Sequence, residues 1–170
     1  GRLFEEVRTK RGLSYGSYSS IPSRADAAVL SASAQTQNQT ADEVLQVILD
    51  QFAALGTQPA AADALEKRRL YLGGAFTRQL ETSAGFNTLV AGLLLQGLEP
   101  GEAMRLAERL AAVSPEAAAE VARRYVTPEQ ASVVVVGNAA EFLDDLKKFR
   151  PDVVVIPAAE LDLSSADLGG

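Results

Sequence analysis

Few residues in this 170-residue chain have types that do chemistry, because it contains neither histidine nor cysteine. A zinc site needs imidazole or thiolate ligands, and a Ser-His-Asp or Cys-His unit needs an imidazole as its base. The sequence therefore excludes zinc binding and triad catalysis by this chain alone, and we predict neither a metal ligand nor a cofactor-binding residue in it. Without cysteine no disulfide forms, so the redox compartment stays open.

One motif resembles a hydrolase signature, since Gly12, Ser14 and Gly16 fit the pattern G-x-S-x-G. A nucleophile elbow needs a strand before the serine and a helix after it. Here the predicted order is helix and then strand, and no histidine is present to activate Ser14. We interpret the match as chance. No glycine-rich phosphate-binding motif occurs either.

The net charge limits the classes of partner that the chain is expected to bind. The chain has 16 lysines and arginines and 22 acidic residues, for a net charge of -6. A nucleic-acid binder needs a basic face that displaces counterions, and an anionic membrane attracts basic segments. We therefore predict no nucleic-acid partner and no membrane partner.

The remaining candidates are Arg8 and Tyr15, which lie seven residues apart at the end of a basic stretch. Residues 2–11 are predicted to be a helix with Leu3 and Val7, together with Phe4, on a shared face, and Gly12 is placed to end it. Cations are favoured at a helix C-terminus and tyrosine is a good strand residue. A purely structural explanation of both residues therefore stays open beside a functional one.

The pattern of predicted helices and strands around this segment indicates an α+β fold, with an antiparallel sheet and helices stacked on one face. Residues 13–20 and 27–35 are predicted to form an antiparallel hairpin. Helices are predicted to follow, with Thr40 and Ser114 as N-caps of two of them and a very apolar, mostly buried helix over residues 82–96. Two strands are predicted near the end of the chain. They are residues 133–136, a continuous β-branched run, and residues 153–156.

The length predicts one domain over residues 1–157 and an acidic tail over residues 158–170. A chain of this size is expected to bury about 70% of its unfolded surface. The first helix has only one residue before it and no capping side chain, so we expect a truncated domain.

The first segment resembles the insulinase/pitrilysin metallopeptidases (inverzincins), which include the mitochondrial processing peptidases. Their zinc-free domain or subunit carries the motif R-L-F-x-x-x-R-x-x-x-G-L-x-Y, which this chain matches from Arg2 to Tyr15. The resemblance continues through Ser114-Pro115-Glu116 and the strand predicted at residues 133–136. It implies the later part of a C-terminal domain with a LuxS/MPP-like metallopeptidase fold.

The resemblance also implies a function that needs a partner. In the family, a domain with H-x-x-E-H binds zinc, and the zinc-free half supplies an arginine and a tyrosine that reach the substrate. Arg8 and Tyr15 match those two residues, as a grip on the peptide and as a donor to the oxyanion. The chain is then expected to be inactive alone, with zinc held by the partner domain and an extended peptide as substrate.

Two other functions remain open at this stage. One is a non-catalytic structural or core subunit of the same fold, as in respiratory complexes, and the other is a peptide-binding module without turnover. The sequence leaves the compartment open as well, since an alanine-rich chain without cysteine is compatible with a bacterial cytoplasm or periplasm.

Overall fold

A computed structural model of the chain describes residues 1–22 and 27–166. A π-helical turn, Phe4–Thr9, leads into strand β1, Ser14–Ser20, which pairs antiparallel with β2, Ser31–Thr36. The predicted hairpin is thus confirmed, although β2 begins four residues later than expected. Part of the predicted loop, residues 23–26, lies outside the described residues.

Helices occupy most of the remaining chain. The α-helices are α1 (Ala41–Thr57), α2 (Ala62–Leu80), α3 (Ser83–Leu95), α4 (Leu106–Ala112), α5 (Pro115–Tyr125) and α6 (Leu143–Phe149). Single or double 3-10 turns lie at Asn38–Thr40, Pro100–Arg105, Pro128–Gln130 and Ala139–Glu141. The α+β prediction is confirmed, with α1 packed against the hairpin and α5 packed against α1.

Two predicted helix caps have different outcomes. The Ser114 hydroxyl accepts a hydrogen bond from the Ala117 amide at 3.0 Å, so it caps α5 as predicted. Thr40 does precede α1, but its side chain makes no capping hydrogen bond. Its hydroxyl lies 2.7 Å from that of Thr36 instead, because the chain enters α1 through a 3-10 turn.

The core is small and lies where the first helical turn meets α1. Val7 is fully buried and packs with Val44 and Val47. Leu3 is also buried, which confirms the predicted apolar face of Leu3 and Val7, whereas Phe4 is partly exposed and lies outside the core. The list of buried apolar residues outside this cluster is short: Ala119, Phe142 and Leu146.

The chain leaves an unusually large surface in contact with solvent. Its accessible surface is 12069 Å², whereas a folded monomer of 17.9 kDa is expected to expose roughly 8,000 Å². Helices α2, α3 and α4 contain no buried residue, so the prediction of a mostly buried α3 is wrong. These helices contact one another and little else, which leaves most of their apolar side chains uncovered. The expected burial of about 70% is accordingly not reached.

The strands predicted at residues 133–136 and 153–156, called the valine segments below, are absent. Both segments are unpaired chain, and the described residues form a single sheet of β1 and β2. Val134 and Val136 are 81% and 93% exposed. A strand exists only where a second strand accepts and donates its backbone hydrogen bonds, and none is adjacent here. The β-branched composition favours a strand, but composition alone does not supply a strand partner.

Candidate functional site

The first helical turn is wider than an α-helix and ends in a correspondingly wide closure. The Lys10 amide donates to the Glu5 carbonyl oxygen at 2.9 Å, five residues back, as in a π-helix. Gly12 has φ +66°, a left-handed conformation that glycine adopts without strain. The Leu13 amide then reaches back to the Val7 carbonyl oxygen at 2.9 Å. The pattern is a Schellman-type ending enlarged by one residue, and it turns the chain directly into β1.

Strand β1 starts with a β-bulge at Tyr15 and Gly16. Ser14 is opposite Thr36, but Ser17 is opposite Ala34, so β1 has one residue more than β2 over this stretch. As a result Ser14 and Ser17 are both buried, although residues three apart point to opposite faces of a regular strand. Tyr15 points outward and is 83% exposed.

The turn and the bulge bring Arg8 and Tyr15 together. The Arg8 guanidinium carbon lies 4.5 Å from the centre of the Tyr15 ring and 5.0 Å from the centre of the Phe4 ring. Each contact has the geometry of a cation–π interaction, worth about 0.5–1 kcal/mol at an exposed position. The two candidate residues thus form one exposed group, and Phe4 is a third member. Phe4 precedes Arg8 by four residues, a spacing that places both on one side of a helix. The sequence pattern instead predicts Phe4 on the apolar face with Leu3 and Val7.

The neighbouring charges are paired in a way that leaves Arg8 without a carboxylate. Glu6 binds Lys10 at 2.5 Å and Arg11 at 2.7 Å. The hydrogen bond from Lys10, and then that from Arg11, lowers the pKa of Glu6 below its usual value. Among the described residues Arg8 has no ion pair and Tyr15 has no hydrogen bond from its hydroxyl. Both functional groups are therefore available to a ligand.

Metal binding has no support in the part of the chain that the structure describes. Those residues contain no cluster of three or more carboxylate, imidazole or thiolate groups that could hold an ion. A shallow cleft of about 330 Å³ between α2 and α4 is lined mainly by apolar side chains and glycines and lies apart from Arg8 and Tyr15. None of the described helices is long and apolar enough to cross a membrane.

Comparisons with known proteins find one family model similar to part of the chain and solved structures with a similar fold. Residues 1–71 match the family model of the peptidase M16 inactive domain. A crystal structure of a peptidase M16 inactive domain from Pseudomonas fluorescens has the same fold, with a TM-score of 0.70 and 20% sequence identity over 76% of this chain. The chain spans 31% of the length of that solved structure. No curated protein sequence matches the chain.

The fold is α+β and is shared with that inactive domain. The match over residues 1–71 and the shared fold confirm the predicted similarity to the inactive C-terminal domain of the insulinase (M16) family. The family is one of peptidases, while the matched domain is its inactive one. The arginine and the tyrosine of the predicted motif both lie within the matched residues.

Proposed function

We propose that this chain is the substrate-binding, zinc-free half of a zinc-dependent metalloendopeptidase. It assists peptide-bond hydrolysis by a partner domain that carries H-x-x-E-H, and it is inactive by itself. The observation that supports this most is the exposed pair of Arg8 and Tyr15, which stack on each other, while among the described residues Arg8 has no ion pair and the Tyr15 hydroxyl has no hydrogen bond. Two similar stacked pairs, Arg68 with Tyr71 and Arg124 with Tyr125, lie outside the matched motif, so the motif and the contact together support the proposal.

Tyr15 acts as a hydrogen-bond donor to the substrate. When water attacks a peptide carbonyl, negative charge develops on the carbonyl oxygen, and a nearby donor stabilises it. A tyrosine hydroxyl is neutral at pH 7 and donates without first changing its protonation state. The phenol of Tyr15 is free to do so, since none of the described residues accepts its hydrogen bond.

Arg8 binds the peptide. Its guanidinium is always protonated and presents several N–H donors to carbonyl oxygens. The rings of Tyr15 and Phe4 restrict its orientation without neutralising it, whereas a carboxylate would compete with the substrate. We expect Arg8 to contribute mainly to substrate affinity and Tyr15 mainly to the rate of the chemical step.

An extended peptide would lie along the edge of the hairpin. Within the described residues β1 pairs with β2 alone, so its other edge has free backbone donors and acceptors. A peptide that adds itself as a further strand gains main-chain hydrogen bonds. Tyr15 belongs to this strand, so a substrate placed there would pass the phenol.

The zinc of such an enzyme does not belong to this chain. The sequence contains no histidine and no cysteine, and the described carboxylates form no metal-binding cluster. Activation of water therefore falls to the partner domain, and this chain contributes binding, orientation and one hydrogen bond.

The proposal is tested by combining the chain with a zinc-bearing H-x-x-E-H domain from the same source and following cleavage of an unstructured peptide. We expect zinc-dependent cleavage, and Tyr15→Phe should reduce kcat by at least tenfold, since losing one oxyanion donor costs about 3 kcal/mol. Tyr18→Phe is the matched control, because Tyr18 is an exposed tyrosine of the same strand. Arg8→Ala should raise KM, whereas Arg68→Ala, which breaks a similar stacked pair on α2, should leave it unchanged.

Other outcomes distinguish the remaining functions. Equal kcat for wild type and Tyr15→Phe would show that Tyr15 is only a strand residue. A folded, zinc-loaded complex that binds peptide without cleaving it would indicate a peptide-binding module. A complex that neither binds nor cleaves would indicate a structural subunit.

A further inference from the structure

The outward direction of Tyr15 depends on the β-bulge. In a regular strand residues two apart lie on the same face, so Tyr15 and Ser17 would share one. In the structure Ser17 is 4% exposed while Tyr15 is largely exposed. The extra residue of the bulge is what reverses Tyr15 relative to the rest of the strand. Bulges of this kind redirect side chains and are frequent next to functional sites.

Ser14 holds this bulge together. Its hydroxyl oxygen accepts a hydrogen bond from the Gly16 amide at 3.2 Å. Its hydrogen has two acceptors within reach, the carbonyl oxygen of Gln35 at 2.6 Å and that of Gly16 at 2.8 Å. One side chain therefore bonds the bulged strand and also the residue of β2 that faces the bulge. These are the backbone groups that an irregular ladder leaves without a regular partner.

Ser17 shows that burial alone does not explain these contacts. It lies on the same strand, three residues further on, and is buried to a similar degree, at 4% exposure against 7% for Ser14. Its hydroxyl nevertheless has no hydrogen-bond partner among the residues that the structure describes. The two serines therefore differ in hydrogen bonding while agreeing in residue type, strand and burial.

We propose that Ser14 is a positioning residue, whose hydroxyl fixes the bulge and thereby keeps the Tyr15 phenol outward and against Arg8. A slip of the pairing by one residue would move Tyr15 to the buried face, because each slip exchanges the two faces of a strand. The role of Ser14 in placing Tyr15 stands on geometry, and its consequence for catalysis rests on the function proposed above.

The first test uses the full chain alone and observes the Arg8 side chain by NMR. Two aromatic rings lie close to the guanidinium, so its Nε–Hε resonance should be displaced from that of a solvated arginine, and Arg8→Lys assigns the signal. Ser14→Ala should move this resonance toward the solvated position. Ser14→Thr, which keeps the hydroxyl, should restore it, and Ser17→Ala should leave it unchanged.

The second test measures cleavage with the zinc-bearing partner. Ser14→Ala should lower kcat about tenfold and leave KM within about twofold, because it displaces a donor that acts in the transition state. Ser14→Thr should recover most of kcat, and Ser17→Ala should equal wild type. A merely structural serine would not divide kcat from KM in this way. If Ser14→Ala does not fold, Ser14→Cys replaces it, since a thiol has similar size and hydrogen-bonds weakly.

The two tests separate the two proposals. An unchanged Arg8 resonance in folded Ser14→Ala or Ser14→Cys overturns the positioning role. If the Arg8 resonance of Ser14→Ala moves toward the solvated position but Tyr15→Phe cleaves as fast as wild type, the positioning role stands and the function proposed for Tyr15 is overturned.

Discussion

The N-terminal unit, formed by the π-helical turn, β1, β2 and α1, and the valine segments, residues 133–136 and 153–156, have opposite outcomes, although the valine segments are the more apolar in sequence. In the N-terminal unit Val7 is fully buried against Val44 and Val47, and both strands are paired. In the valine segments no strand forms, and Val134, Val136 and Val154 are largely exposed. The more apolar region is the one without paired strands, so hydrophobic composition does not decide which region becomes ordered secondary structure.

The difference lies in how far apart along the chain the required partners are. The π-helical turn, its glycine ending and β1 are consecutive, and β2 follows after a short connection. Such local contacts cost little chain entropy to form. A β-branched run with no neighbouring strand satisfies neither its backbone groups nor its exposed face. The candidate site lies in the first kind of region, and its geometry therefore depends on contacts that this chain supplies itself.

Hydrogen exchange gives the largest expected contrast between the two regions. No described residue accepts a hydrogen bond from the backbone amides of residues 133–136, whereas β1 and β2 share a ladder. We expect the amides of the valine segments to exchange at nearly the rate of unstructured chain, and the paired amides of β1 and β2 roughly a hundredfold more slowly. Mass spectrometry of the exchanging chain measures both. Strong protection at residues 133–136 would show that these residues find a strand partner in solution.

Core substitution should separate the same regions by stability. Val7→Ala removes two fully buried carbon groups and is expected to lower the free energy of unfolding by about 2 kcal/mol. Val136→Ala makes the same chemical change at an exposed position and should alter the free energy of unfolding by less than about 0.5 kcal/mol. Urea unfolding followed by circular dichroism compares the two variants. Equal losses would mean that the valine segments are packed in solution.

Sequence reasoning succeeded where the deciding contacts are local and failed where they are not. The helix ending at Gly12, the antiparallel hairpin and the Ser114 cap each follow from a few adjacent residues. The motif singled out Arg8 and Tyr15, but their stacking on each other and on Phe4 was not predicted. The bulge could not be predicted, because inserting one residue depends on which residue of β2 lies opposite. The late strands were predicted wrongly because pairing is a property of two segments.

The ion pairs of Glu6 are expected to have the smallest effect on the free energy of unfolding. The size of this effect distinguishes an N-terminal unit stabilised by packing from one stabilised by ion pairs. Lys10 and Arg11 lower the pKa of Glu6, so the stabilisation from its charged form is present above the ordinary glutamate pKa of about 4.3 and is lost as pH falls below it. We expect wild type to lose slightly more stability than Glu6→Gln between neutral pH and about pH 3. Urea unfolding at both pH values measures this, and Glu5→Gln is the matched control, since Glu5 has no ion pair among the described residues.

The Arg8 resonance should stay in place in Glu6→Gln, because the rings of Phe4 and Tyr15, and not the carboxylate, contact its guanidinium. A large acid-dependent loss that disappears in Glu6→Gln would instead assign the stability of the N-terminal unit to its surface charges, and the contrast with the valine segments would then rest on electrostatics.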